Sequence, residues 1–241
     1  MGAGCRNGKE YAAMRMLAVF EKSERIRHIG HLDIQLSVQR GLRRSGLPVA
    51  YSQGFNPHIL ITFASALSTG ACGKREIMDV TMAEDVDPDV FLEKMNSSMP
   101  PEMQLKEARA VDNKYPSLMG MVAAADYDLL IRDDSKGEKL AAAIPELMRL
   151  EHISAMRKTK TKLTECDIKP LIYGLKAETA DGKTHIRAML ALTERESCKP
   201  QMLLEALKNQ AGEDGEIRML VTREGLYGMD HNGVLTPLER M

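Results

Sequence analysis

Four cysteines in 241 residues, at positions 5, 72, 166 and 198, are too few and too scattered to staple a fold. No CxxC pair occurs, so neither a disulfide framework nor a structural zinc site is encoded. No cluster of neighbouring cysteines is present to hold iron and sulfur either. Long apolar runs are also missing. Nothing approaches the roughly 20 residues needed to span a bilayer, and the N-terminus lacks the apolar stretch of a secretory signal. The expectation is a cytoplasmic protein with free thiols and no membrane partner. An excess of charge of either sign is absent too, since the formal net charge is −1. That excludes a uniformly basic nucleic-acid binder, so any polyanion site must arise from local segregation of charge.

Such segregation is present. Residues 14–60 hold seven Lys/Arg against three Asp/Glu, whereas residues 84–102 hold six acids against one lysine. Hydrophobic residues make up 44% of the chain, enough to build the core of one large domain or two small ones. The seventeen methionines fall mostly at apolar positions and read as core filler.

The densest information lies between Gly30 and Phe63. Ile34, Val38 and Leu42 recur every four residues, with Leu32 and Leu36 beside them, while Asp33, Ser37, Arg40 and Arg44 share another face. This predicts a helix with one core side and one basic side. Gly46 marks its end and Pro48 prevents it from resuming. A short strand over Leu47–Tyr51, an ordered loop Ser52-Gln53-Gly54-Phe55-Asn56-Pro57-His58 and a strand over Ile59–Phe63 follow.

The succession His31-Leu32-Asp33, the run from Arg40 to Ala50 and the SQGFNP segment at 52–57 resembles the radical-SAM-linked protein family. This is a bacterial domain that occurs alone or fused behind a radical S-adenosylmethionine domain. The likeness extends through Phe20-Glu21-Lys22, Glu76 and Asp79, Tyr115-Pro116-Ser117-Leu118 and Asp167 to Ile172. One departure is that Ile59 follows His58, where members commonly have a proline soon after the Asn-Pro pair. The resemblance implies a separate radical SAM enzyme as partner. The radical chemistry must lie in that partner, because this chain has no three-cysteine motif.

Elsewhere the pattern predicts strands at Met14–Glu21, Glu76–Met82 and Gln104–Val111, with a helix opened by Asp87-Pro88. The same element order returns on shifting the chain by 112 residues. There, the helix is Glu138–Leu150 with Pro145 inside it. Strands are expected at Ile153–Leu163, Ile168–Ala177, His185–Thr193 and Glu216–Arg223, with a second helix at Pro200–Asn209. The expected class is α+β: two tandem ferredoxin-like (split βαβ) halves, with antiparallel-rich sheets and helices on one face. The boundaries are a flexible leader at 1–13, a first half at 14–111, a linker at 112–125 and a second half at 126–241.

Two basic features point to RNA as a partner. Arg40, Arg43 and Arg44 lie on the first helix, and Lys158, Lys160 and Lys162 alternate along an expected strand, where they would stand in a row on one face. Such contacts supply affinity without reading sequence. The same lysines also suit a guarded sheet edge. Gln53, Phe55, Asn56 and His58 combine an aromatic plate with hydrogen-bonding groups, a set that can stack and read an unpaired base; equally, Phe55 can plug the core. His28 and His31 have spacing that places two imidazoles together, but no third ligand is identifiable, so neither a metal nor a cofactor is expected. The expected function is a non-catalytic RNA-binding or substrate-presenting module acting with a radical SAM enzyme in RNA modification. The alternatives are a metal-independent ribonuclease using His28 or His31, and a protein-protein adaptor contacting partners through its acidic 84–102 segment.

Overall fold

The computed structural model describes residues 14–158, 162–180 and 182–241. The expected leader and Lys160 lie outside these residues. Strand β1 (Met14–Lys22) buries both Met16, Ala18 and Phe20 on one side and Leu17 and Val19 on the other, as a central strand must. Helix α1 (His31–Ser45) buries Ile34, Val38 and Leu42, and Gly46 ends it at φ 65°, a left-handed conformation that glycine adopts without penalty. Leu32 and Leu36 do not join that face and stand 72% and 47% exposed. Each lies two positions, roughly 200° of helix, from a core residue, so burying Ile34 and Val38 turns them outward.

The flanking strands expected around the loop shrink to a bridged neck, Val49 to Met82 and Tyr51 to Ile59, before β2 (Ile61–Phe63). Strand β3 (Cys72–Met82) is longer than predicted. Helix α2 (Pro88–Ser98) starts where the sequence placed it, with the Asp87 carboxylate accepting from the Asp89 N–H at 2.8 Å. Strand β4 (Leu105–Val111) closes this part of the chain. A short α3 (Leu118–Met121) leads into β5 (Val122–Ile131), which begins inside the stretch read as a linker because Val122, Ala124 and Ala125 are core residues. Helix α4 (Asp134–Arg149) runs through Pro145. Then come β6 (Ser154–Lys158), β7 (Leu163–Asp167), β8 (Ile172–Ala180), β9 (Lys183–Ala191), α5 (Pro200–Ala211), β10 (Met219–Met229) and β11 (Leu235–Pro237).

The protein is α+β, with five α-helices among the described residues and one large, mostly antiparallel sheet. Its strand order is β4-β1-β3-β10-β5-β9-β8, with β2 on β3 and β11 on β10. The separate sheets expected from sequence are therefore merged into one nine-stranded sheet. Among the described residues, the only parallel strand pairing is the junction of β3 with β10, made by two residue pairs, Thr222 with Cys72 and Arg223 with Gly73. To either side the strands lie in the spatial order fourth, first, third, second: β4-β1-β3-β2 and β10-β5-β9-β8.

Helices α1 and α2 pack Phe91, Met95, Ile34 and Val38 on Met16, Ala18 and Phe20. Beyond the junction, Leu140 of α4 and Leu203 and Leu207 of α5 pack with Tyr127, Leu129 and Ile131. Phe20 is paired with Glu76, and Arg223 with Tyr127; paired residues share a face. Because Arg223 bonds Glu76, α1, α2, α4 and α5 cover the same side of the sheet.

The region 153–163 is not one strand. Strand β6 ends at Lys158, which pairs with Leu163 of β7 across a separate two-stranded hairpin.

Candidate functional site

The loop between Tyr51 and Ile59 is held at its neck and free at its tip. The Ser52 N–H donates to the His58 carbonyl at 2.8 Å, and the His58 N–H donates to Ser52 Oγ at 3.1 Å. Ser52 Oγ and His58 Nδ1 lie 2.7 Å apart. The neck is fastened in turn to β3 through the Ala50 N–H and Thr81 carbonyl at 2.9 Å. Gly54 turns the chain at φ 129°, which an L side chain rarely adopts. The consequence is that Phe55 stands fully in solvent, at 105% of its reference exposure. It does not plug the core. Gln53, Asn56 and His58 are exposed around it, and Tyr51 is 43% exposed at the neck. Of the four loop residues singled out from sequence, Gln53, Phe55 and Asn56 thus stand on the projecting tip, and His58 stands exposed at the neck beneath them.

The arginines of α1 are exposed, but not equally free. Arg44 donates to the Ser98 carbonyl at the end of α2 at 2.5 Å, tying the two helices. Arg40 and Arg44 line one groove with Ser97, Ser98 and Pro100. No described residue of the β6–β7 hairpin lines it. Lys158 and Lys162 are exposed at the far end of the hairpin, which contacts the protein through α5.

Glu76 and Asp79 are both paired with arginines, neither of them from α1. Asp79 accepts from Arg15 Nε at 3.0 Å and also contacts its Nη2. The same guanidinium donates to the Tyr115 carbonyl and lies 5.9 Å from the Tyr115 ring centroid. Glu76 is taken by Arg223, which is 1% exposed and also reaches the Ser65 carbonyl at 3.1 Å and Ser65 Oγ at 3.3 Å. Burial opposes the Arg223 charge, yet Glu76 more than compensates and its pKa is raised. Around this pair lie Lys22, 2% exposed with Nζ donating to the Arg27 carbonyl at 2.9 Å, and His31, whose ring packs edge-on against Phe63 at 5.1 Å between centroids. Burial lowers the pKa of both. Sequence pattern alone assigned no site role to Lys22, Tyr127 or Arg223. Their visible signal was a charge or hydroxyl inside an otherwise apolar strand.

Among the described residues, no three His, Cys, Asp or Glu side chains gather as a metal site, and no helix is long and apolar enough to cross a membrane. A family model described as "Uncharacterized protein conserved in bacteria (DUF2344)" matches residues 15–200. No curated protein matches the chain. Among solved structures, an unknown protein from Galdieria sulphuraria is 14% identical, with 88% of this chain and 98% of that one covered and a TM-score of 0.25. A second, described as "putative glycine cleavage system transcriptional repressor", is 13% identical over 86% of this chain and 97% of the other, with a TM-score of 0.23. At such scores neither bears on fold or function.

Proposed function

The chain belongs to the DUF2344 family of uncharacterised proteins conserved in bacteria, and from that premise we propose that it is a non-catalytic RNA-binding module. The observation that carries this reading is Phe55, a wholly exposed aromatic ring on a loop whose neck is cross-bonded and whose tip is set by Gly54. Exposing an aromatic ring forfeits about 2 kcal/mol of burial, and a braced loop that does so is suited to stacking on an unpaired base. Gln53, Asn56 and His58 around it can hydrogen-bond base edges. Arg40 and Arg43 supply phosphate contacts from α1, and Lys158 and Lys162 supply a second, separate set.

In this reading the halves are tandem ferredoxin-like units, supported by the repeated strand order, and the module acts in the cytoplasm. It presents RNA to a radical SAM enzyme in trans. The resemblance supports that partner, as does a chain whose four cysteines are dispersed.

Fluorescence anisotropy with single-stranded and hairpin RNA oligonucleotides over a salt series tests the proposal. Phe55→Ala should weaken single-stranded binding by about 1–3 kcal/mol with the salt slope unchanged. Replacing Arg40 and Arg43 together with alanine should reduce that slope by about 0.7 per lost contact on single strands. No binding at low salt would refute the reading.

A further inference from the structure

A cavity of about 280 Å³ lies where the two parts of the sheet meet, and it is distinct from the Phe55 loop. One wall is the segment 66–71 that precedes β3; the other comes from Tyr127, the stretch 197–201 that opens α5, and β10. Its floor is apolar, formed by Leu67, Ala71, Leu192 and Val221 with the ring of Tyr127. Arg223 lines it as well, but its guanidinium is committed to Glu76, Tyr127 and the Ser65 carbonyl, so it contributes positive backing rather than a free donor. The polar side-chain groups with no hydrogen-bond partner among the described residues are at the rim: the hydroxyls of Ser68, Thr69 and Ser197, the Gln201 amide and the Lys199 ammonium. Among the described residues, Lys199 makes no ion pair and no aspartate or glutamate lines the cavity. A site with hydroxyl and amide donors, one unpaired cation, no carboxylate and an apolar floor selects by charge and by shape.

We propose that this cavity binds a small organic anion, with a planar or apolar body seated on Leu67, Val221 and Tyr127 and a carboxylate or phosphate held by Lys199 and the hydroxyls of Ser68, Thr69 and Ser197. The volume lies at the lower end of the small-molecule range, which fits a body of one ring rather than a dinucleotide or a peptide. The walls come from both sides of the β3–β10 junction, where the sheet is continuous through only two residue pairs. An occupant therefore bridges the two parts and stabilises them against separation.

The test uses the whole chain with four probes: phenyl phosphate, benzoate, benzylamine and inorganic phosphate. Binding is followed by amide chemical-shift titration and by melting temperature. The expected result is saturable binding of phenyl phosphate or benzoate, with shifts confined to residues 66–71, 127, 192–201 and 219–223 and a dose-dependent rise in melting temperature. Whichever of the two binds more tightly identifies the headgroup. Lys199→Glu, an exposed substitution, should weaken the better probe at least tenfold while leaving the melting temperature of the free protein unchanged. Ser197→Leu, which fills the cavity from its polar wall, should abolish the shifts. The proposal is overturned if neither aromatic anion binds by roughly 10 mM, the weak limit for so small a ligand. Benzylamine binding equally well, inorganic phosphate matching phenyl phosphate, shifts mapping elsewhere, or indifference to Lys199→Glu would each overturn it too.

Discussion

Arg223 of β10 and Glu76 of β3, 147 positions apart in the chain, form a buried two-bond ion pair at the point where the two parts of the sheet join. Nε donates to Oε1 at 2.8 Å, and the side chains are 1% and 5% exposed. Two parallel residue pairs join β3 to β10, and this buried contact, with the loop carbonyl it engages, reinforces the junction alongside the more exposed pairs Lys74–Glu224, Arg75–Glu239 and Arg132–Glu24.

Removing one partner leaves an uncompensated charge in the core. Arg223→Met is expected to lower the unfolding free energy by about 3–5 kcal/mol, and Glu76→Gln by a comparable amount. The double variant Glu76→Leu/Arg223→Met should recover much of the loss, since no bare charge remains. Urea denaturation monitored by circular dichroism gives the three values; single losses below about 1 kcal/mol would mean that the pair is solvated.

Gly73 pairs with Arg223 and sits against the Glu76 side chain. A Cβ there would meet Glu76 Cγ at 2.6 Å, closer than real Cβ contacts come. Gly73→Ala should displace the Glu76 carboxylate from Arg223 and destabilise by about 1–3 kcal/mol. The same substitution in an Arg223→Met background should cost less, and additive losses would show that glycine acts independently of the pair.

Asp167 closes the β6–β7 hairpin and is held down to about 2, first by its hydrogen bond to His152 and then by the N–H groups of Ile153 and Lys169. A carboxylate depressed in the fold contributes stability above its ordinary value of 3.8, and that contribution is lost as pH falls through about 2. The stability difference between the parent and Asp167→Asn should therefore narrow between about pH 4 and pH 2. Denaturation midpoints at half-unit intervals measure it, and a constant gap across that window would exclude the assignment.

Burial pushes the Cys198 thiol up to about 12, whereas Cys166 is only half-buried on the hairpin. Thiolate is the reactive form, so iodoacetamide at mildly alkaline pH should label Cys166 in the native protein and reach Cys198 only after unfolding. Peptide mass mapping distinguishes the two, and native labelling of Cys198 would contradict its burial.

Much of the architecture was written in local pattern. The spacing of Ile34, Val38 and Leu42, the Asp87 cap with Pro88 and the glycine at 46 each act within a few residues, so periodicity and capping locate α1 and α2 without knowledge of the rest. The Gly-Pro chemistry of residues 52–58 likewise specified an ordered loop. Which side its aromatic ring would take was not local: Phe55 faces solvent because the neck is fastened to β3 and the tip projects away. Leu32 and Leu36 are equally apolar in sequence and lie outside the core because α1 has one partner surface, already filled by the 34, 38, 42 row. The stretch from Ile153 to Leu163 looked like one strand by alternation, but strand or hairpin depends on whether a neighbour exists to pair with, and β7 supplies it, Leu163 pairing with Lys158. Glu76 and Arg223 each stand out as charges in apolar strands, yet nothing local says that they belong to each other. Only the meeting of β3 with β10 decides that, because a buried charge is tolerated solely where the fold delivers an opposite charge to it.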